Sequence, residues 1–372
     1  MRSLRFLPVL LATALSMACG APADSNLSGD TDELSDATVS MEMVRKNPAL
    51  APGVAVPERT VVKGHKAPVN EAVTPTHQSL WNPSAPGNAW LIDAANLGQF
   101  TNLTDPKMDV DGAKIGSYMR LPGDLFAADN QLKWDNVQQG YLGDCYFAAS
   151  LAAVLLADKG GALTKNMVVP VFASGSAGKV VDYTVTFFQA SGRKVTVKVD
   201  PDLPHKTASG HVMYMRSTDT VEGYEEWAPS LVEKGYATWH KSYSAIGGGG
   251  TAADAIFALT GKVTRSYYPA GSTTVAAIEA AGKTSRAQVA CTHGDHDGVN
   301  YDGTGVYADH CYTLRGVVRK AGKVYIQLRN PWGPIVSAVE PTEPPDDGVP
   351  DGLFDLEYSK FTTLYASVDI LP

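Results

Sequence analysis

The chain has 372 residues, of which 44% are hydrophobic and 19% charged, and it carries a formal net charge of -8. That length supports one large domain or two ordinary ones with a real core. With no Lys/Arg cluster and no apolar run of transmembrane length after the first residues, the sequence excludes a nucleic-acid footprint and a spanning body, so a soluble protein with protein or small-molecule partners is expected.

The opening "MRSLRFLPVLLATALSMACGAPADS" has two arginines, an apolar core from Phe6 to Leu15 and small residues after it, which is the layout of an export signal over residues 1–20. A short buried helix is the alternative, and Pro8 with the basic start fits export better. Cys19 sits in a setting that resembles a bacterial lipoprotein cleavage box, although Ser16 stands where that box usually has leucine. Lipidation and plain secretion therefore both stay open, and the expected location is periplasmic, outer-membrane or extracellular. Any membrane attachment would run only through a lipid on Cys19. Residues 21–88 are rich in Ala, Pro, Ser, Thr, Asp and Val without a sustained period, and read as a tether or pro-segment. Beyond the signal stand Cys145, Cys291 and Cys311, an odd number in a chain bound for an oxidising compartment, so at least one thiol is left unpaired. A Cys291–Cys311 bridge is compatible with the sequence, which does not fix their separation in the fold.

Ordered patterning begins near residue 89. The stretch from Tyr146 to Ala157 is apolar on all sides and predicts a helix at the centre of a domain. "VVDYTVTFFQASGRKVTVKVDPDLP" alternates apolar and polar residues around Ala190-Ser191-Gly192 and predicts a β-hairpin stopping at Pro201 and Pro204. Trp227, Leu231, Val232 and Tyr236 fall at helical spacing. Gly247 to Gly250 break the chain, and Thr251 is an N-cap for "AADAIFALTG". "AQVACTH", "DHCYTLRGVVRKAGKVYIQLRNPWG" and "TTLYASVDIL" read as strands. A helix-rich part followed by a strand-rich part is an α+β layout, with subdomains expected at 89–241 and 242–372.

The chemistry gathers on few residues. A thiol is a useful nucleophile as its thiolate, and a helix N-terminus, where Cys145 is expected, stabilises that anion. The plainer reading makes Cys145 a small buried hydrophobe. His310, preceding a strand, can face that helix end across a cleft and act as base. Asn330, ending the next strand, comes beside His310 through a hairpin and can hold its ring. Gln139 can offer its side-chain NH₂ to a developing oxyanion beside the main-chain N–H of Cys145. Gly143 keeps the turn free of bulk, so that a substrate can approach.

"QGYLGDCYFAAS", "DHCYTLRG" and "RNPWG", in that order, resemble the calpain family of papain-like cysteine proteases, and the likeness extends from about Trp90 to the C-terminus. It implies a papain-like α+β fold, protein or peptide substrates, a monomer, and hydrolysis through an acyl-enzyme with Cys145 as nucleophile, His310 as general base and acid, Asn330 as orienter and Gln139 as oxyanion donor. Trp332 would shield the His310–Asn330 bond; a plain core aromatic is the alternative. Tyr146 replaces the tryptophan usual after the nucleophile, and Cys311 the alanine usual after the histidine. The family core is usually switched by calcium, for which Glu225 and Asp351 match ligand positions. Asn136, Val336 and Leu353 stand where acidic ligands are expected, so weak or no calcium dependence and no required cofactor follow. "DPKMDVDG" and "THGDHDGVNYDGTG" lack EF-hand spacing, and His293 with His296 makes no zinc set; solvated loops are expected, the second rimming the cleft. A transglutaminase-type acyltransferase, disfavoured by Asn330 where an aspartate is usual, and a non-catalytic tethered binding module are the rival readings.

Overall fold

The computed structural model describes residues 91–92, 103–108, 116–120, 123–126, 132–159, 161–174, 180–206, 212–218, 220–221, 224–333 and 351–372. The expected export signal and the tether or pro-segment lie outside the described residues.

Helix α1 (Cys145–Ala157) is buried from Cys145 to Leu155, as a segment apolar on every face must be. It anchors the first core. Strands β1 (Val168–Phe172), β2 (Val180–Phe188) and β3 (Lys194–Val199) form an antiparallel sheet in that order. The β2–β3 hairpin closes through Gly192, whose φ of 77° is the left-handed conformation that glycine adopts without strain. Helix α2 (Ala228–His240) packs against this sheet, and Phe147 of α1 stacks on its Tyr236 with ring centroids 4.1 Å apart. Each such fully buried side chain contributes about 1.5–3 kcal/mol.

Two details differ from the sequence reading. The chain does not end its extended run at Pro204: Leu203–Lys206 is a strand, and Pro204 lies opposite Tyr118 in a two-stranded pair with Gly116–Met119. The other edge of that strand is met by Val212 and Met213, and Met213 N donates to Pro204 O at 2.7 Å, a bond that uses the proline's carbonyl and not its missing N–H. Helix α3 (Ala252–Thr260) starts at the expected cap, Thr251 Oγ1 accepting from Asp254 N at 3.1 Å. Although it lies beyond Lys241, α3 packs against α1 in the first core, with Ser150 Oγ donating to Ala252 O at 3.4 Å.

The later part is a six-stranded antiparallel sheet. In chain order it comprises β4 (Arg265–Tyr267), helix α4 (Thr274–Lys283), β5 (Gln288–Thr292), β6 (Cys311–Lys320), β7 (Lys323–Arg329), β8 (Leu353–Glu357), helix α5 (Tyr358–Leu364) and β9 (Tyr365–Ile370). The strand order is β4-β9-β5-β6-β7-β8. The run "TTLYASVDIL" is thus split, its first three residues closing α5 and the strand starting at Tyr365. Ile278, Leu314, Ile326, Leu356 and Phe361 build a second core on this sheet. Helix α1 lies against β5 and β6, and Thr313 Oγ1 donates to Ala149 O at 2.9 Å. The helix that begins at Cys145 is therefore the element shared between the two parts of an α+β fold.

Candidate active site

Cys145 is the first residue of α1, and the preceding loop is held by close main-chain packing. A Cβ on Gly143 would stand 2.4 Å from Gly247 O, and one on Gly250 would meet the Tyr146 ring at 2.5 Å. The glycine at 143 is thus required by the loop's fit against the Gly247–Gly250 run, a reason different from the substrate access expected of it. Tyr146 Oη donates to Ile246 O at 3.2 Å, so the ring that replaces the usual tryptophan ties the same two segments.

The sulfur of Cys145 lies 3.8 Å from the main-chain O of Asp309, the residue before His310. Asp309 has φ 49°, a left-handed conformation that aspartate tolerates better than most residues, and it turns the chain directly ahead of the imidazole. Thr292 on β5 fixes that turn: its Oγ1 accepts from His310 N at 3.0 Å and donates to Tyr307 O at 2.8 Å. His310 Nε2 meets Asn330 Oδ1 at 2.9 Å, and since an amide oxygen only accepts, Nε2 carries the proton. This leaves Nδ1 as the basic nitrogen. Asn330 is itself fixed, its Oδ1 accepting from Trp332 N at 3.1 Å and its N donating to Gly352 O at 2.8 Å. The Trp332 ring covers the imidazole with centroids 4.4 Å apart, and Tyr307 packs edge-on against Trp332 at 4.4 Å. His310 is 3% exposed and Asn330 5%, so their bond is shut away from water.

Gln139 sits beside this group because Gln139 N donates to Pro331 O at 2.8 Å. Its Nε2 donates one hydrogen to Leu142 O at 2.6 Å, which fixes the amide and leaves the second N–H of the NH₂ group. The adjoining Gln138 Nε2 donates to Trp332 O at 2.7 Å. Arg329, fully buried, sends Nη2 to Asp135 O at 2.7 Å and Val137 O at 2.8 Å. Desolvation lowers its pKa to about 10, which Asp135 and Asp351 oppose, so the guanidinium stays charged at neutral pH. The segment carrying Gln139 and the one carrying Asn330 are therefore laced together at the floor of the site. Nothing in the sequence pattern marks Arg329 or Thr292 for these tasks; both depend on the register of strands far apart in the chain.

Residues 118–338 match the family described as calpain family cysteine protease. The chain belongs to the calpain family. Among its relatives, calpain clp-4 of Caenorhabditis elegans is 31% identical over 233 residues, 58% of this chain and 30% of that protein. Calpain-B of Drosophila melanogaster is 32% identical over 258 residues, 64% of this chain and 26% of that protein. The catalytic subunit of human calpain-1 is 35% identical over 150 residues, 40% of this chain and 19% of that protein. The match thus spans less than a third of each relative's length.

Of the calcium positions expected in this calpain-family chain, Asn136, Asp351 and Leu353 have described side chains. Asn136 Nδ2 donates to Glu226 Oε2 at 3.0 Å. Asp351 Oδ1 accepts from Leu353 N at 2.9 Å, and the Leu353 side chain offers no oxygen. Glu225 lies on a short strand, Tyr224–Glu226, opposite Gly123, but its side chain and Val336 lie outside the described residues. Among the described residues no group of three or more His, Cys, Asp or Glu could hold a metal ion. The remaining two cysteines are joined: Cys291 and Cys311 face each other across β5 and β6 and form a disulfide, with Cα atoms 4.0 Å apart. Cys145 is the cysteine outside that disulfide among the described residues.

Proposed function

We propose that this calpain-family chain is a cysteine endopeptidase that cleaves proteins through Cys145, His310 and Asn330, with weak or no need for calcium. The observation that carries the reading is the buried His310 Nε2–Asn330 Oδ1 bond of 2.9 Å with the Cys145 sulfur 3.8 Å from the adjoining main-chain oxygen. His310 Nδ1 takes the Cys145 thiol proton, and the thiolate sulfur attacks the scissile carbonyl carbon, the new S–C bond pushing an electron pair onto oxygen. The free N–H of Gln139 stabilises that oxyanion at the mouth of α1. His310 Nδ1 delivers its proton to the amine nitrogen as the C–N bond breaks, leaving a thioester. Water then adds to the thioester, giving its proton to the same nitrogen, and the sulfur departs. No step runs through a metal. Export, with Cys19 either lipidated or removed with the signal, remains part of the proposal.

The test is hydrolysis of a fluorogenic protein substrate by the purified chain, with chelator as zero and calcium titrated upward. Turnover in chelator that is lost in Cys145→Ala supports the reading. A steep micromolar calcium activation would overturn its calcium part, and activity that persists in Cys145→Ala its chemical part.

A further inference from the structure

Arg329 closes β7 directly ahead of Asn330, and its side chain has no part in the reaction steps above. It crosses to the stretch that leads to Gln139. There Lys133 to Asn136 form a turn, Asn136 N donating to Lys133 O at 3.3 Å, with Trp134 and Asp135 at its tip. Val137 and Gln138 then pair with Ser217 and Arg216, and Val137 is buried in the first core, so this stretch is seated on the first part of the molecule. Arg329 belongs to the six-stranded sheet of the later part. Its Nη2 joins the two parts by reaching Asp135 O at 2.7 Å and Val137 O at 2.8 Å.

The Trp134 ring completes the crossing. The guanidinium carbon of Arg329 lies 5.8 Å from the ring centroid and that of Arg315 5.3 Å, both within cation–π reach. Arg315 is the extra residue of a bulge in β6, since Leu314 pairs with Leu328 and Gly316 with Gln327. A bulge re-aims a side chain, and here it carries a second cation to the ring that Arg329 meets. Arg329 is 1% exposed, and its Nη1 has no hydrogen-bond partner among the described residues. A buried cation with an unmet donor and a like charge nearby costs stability, and an apolar side chain would fill the same place without that cost. Packing therefore does not account for Arg329, whereas its two charge-assisted bonds to the Gln139 stretch do.

We infer that Arg329 is a positioning residue for the proposed reaction: with Trp134 it fixes the oxyanion donor Gln139 at a set distance from the His310–Asn330 pair. One residue serves both halves of the site. Its main chain leads into the asparagine that orients the base, and its side chain holds the main chain that presents Gln139. The other ties, Gln139 N to Pro331 O at 2.8 Å and Gln138 Nε2 to Trp332 O at 2.7 Å, fall after Asn330 in the chain. The stretch is thus gripped from both sides of Asn330, and without Arg329 it can tilt about the remaining bonds. The purpose of the bridge rests on the cysteine-peptidase reading; the bridge itself does not.

The experiment measures kcat and KM on a fluorogenic peptide for the full chain, Arg329→Gln, Gln139→Ala and the double variant. Losing an oxyanion donor costs about 10²–10³ in kcat, the loss expected for Gln139→Ala. Arg329→Gln should lower kcat by about tenfold or more through misplacement of that donor, with KM changed less than about threefold. In the Gln139→Ala background the same substitution should cost less than about threefold, because the donor it positions is already gone. Alkylation of Cys145 by iodoacetamide draws on the thiolate and on no oxyanion donor, so its rate should fall less than about threefold in Arg329→Gln. Trp134→Leu, at a half-buried position, loosens the same bridge from its other end and enters the same cycle should Arg329→Gln not fold.

An Arg329 substitution that leaves kcat unchanged, or that costs the same with Gln139 present and absent, overturns the inference. So does an alkylation rate lowered as far as kcat, which would place the effect on His310 instead. If the wild type shows no turnover that depends on Cys145, the peptidase reading fails, and the bridge is then read by denaturant unfolding. The combined loss from Arg329→Gln and Trp134→Leu should fall short of the sum of the single losses, and a combined loss equal to that sum shows that the two side chains form no bridge.

Discussion

Removing the Asn330 side chain isolates one contact of the proposed triad. In Asn330→Ala the imidazole keeps its Trp332 cover and its main-chain ties to Thr292, but loses the acceptor 2.9 Å from Nε2. A hydrogen bond to a charged partner contributes about 1.5–3 kcal/mol. Both groups are buried, so water cannot replace the amide oxygen. At about 1.4 kcal/mol per factor of ten, kcat should fall by roughly 10- to 150-fold. KM should change little, because Asn330 positions the imidazole and does not meet substrate. The assay is steady-state cleavage of a fluorogenic peptide, with the concentration of competent sites fixed by irreversible labelling of Cys145. Asn330→Asp retains an acceptor at the same place and should recover most of the lost rate. A folded Asn330→Ala that keeps a third or more of wild-type kcat would show that His310 is not oriented by this contact.

Cys145→Ser should abolish turnover and leave the thermal midpoint nearly unchanged, since oxygen replaces sulfur at nearly constant volume; measurable residual hydrolysis would point to another nucleophile. Gly143→Ala forces a methyl against Gly247 O, a main-chain atom that cannot rotate away. Denaturant titration should show a loss of about 1–3 kcal/mol, together with a drop in kcat from the displaced Leu142–Cys145 turn. Replacing Cys291 and Cys311 together by alanine opens a bridge of sequence separation 20 and should cost about 3 kcal/mol of stability, read as a shift in the denaturant midpoint.

What could be read from the sequence was whatever is local. An apolar run with no polar face can only be a central helix, and α1 is one; alternation around Ala190-Ser191-Gly192 gave the β2–β3 hairpin; Thr251 acts as the cap its position suggests. The hairpin argument also carries Asn330 to His310, because β6 and β7 are joined by a short turn and Thr313 pairs with Arg329. What escaped depends on register between distant segments. Pro204 in a strand needs Tyr118 opposite it, and the Cys291–Cys311 bridge needs those two residues to be direct neighbours across β5 and β6. Arg329 reaching Asp135 and Val137 is likewise an encounter that no short motif encodes. The helix Thr274–Lys283 and the strands β1 and β8 went unread, their apolar spacing being too brief to separate from loop.

The Cys291–Cys311 bridge ends one residue from the imidazole, while the same centre depends on a sulfur that must stay reduced. A bench chemist preparing such a protein faces opposed demands: dithiothreitol, added to keep a nucleophilic cysteine alive, attacks the cross-link that holds its base in place. Activity plotted against reductant concentration should then pass through a maximum, and the most productive buffer would be a mild one.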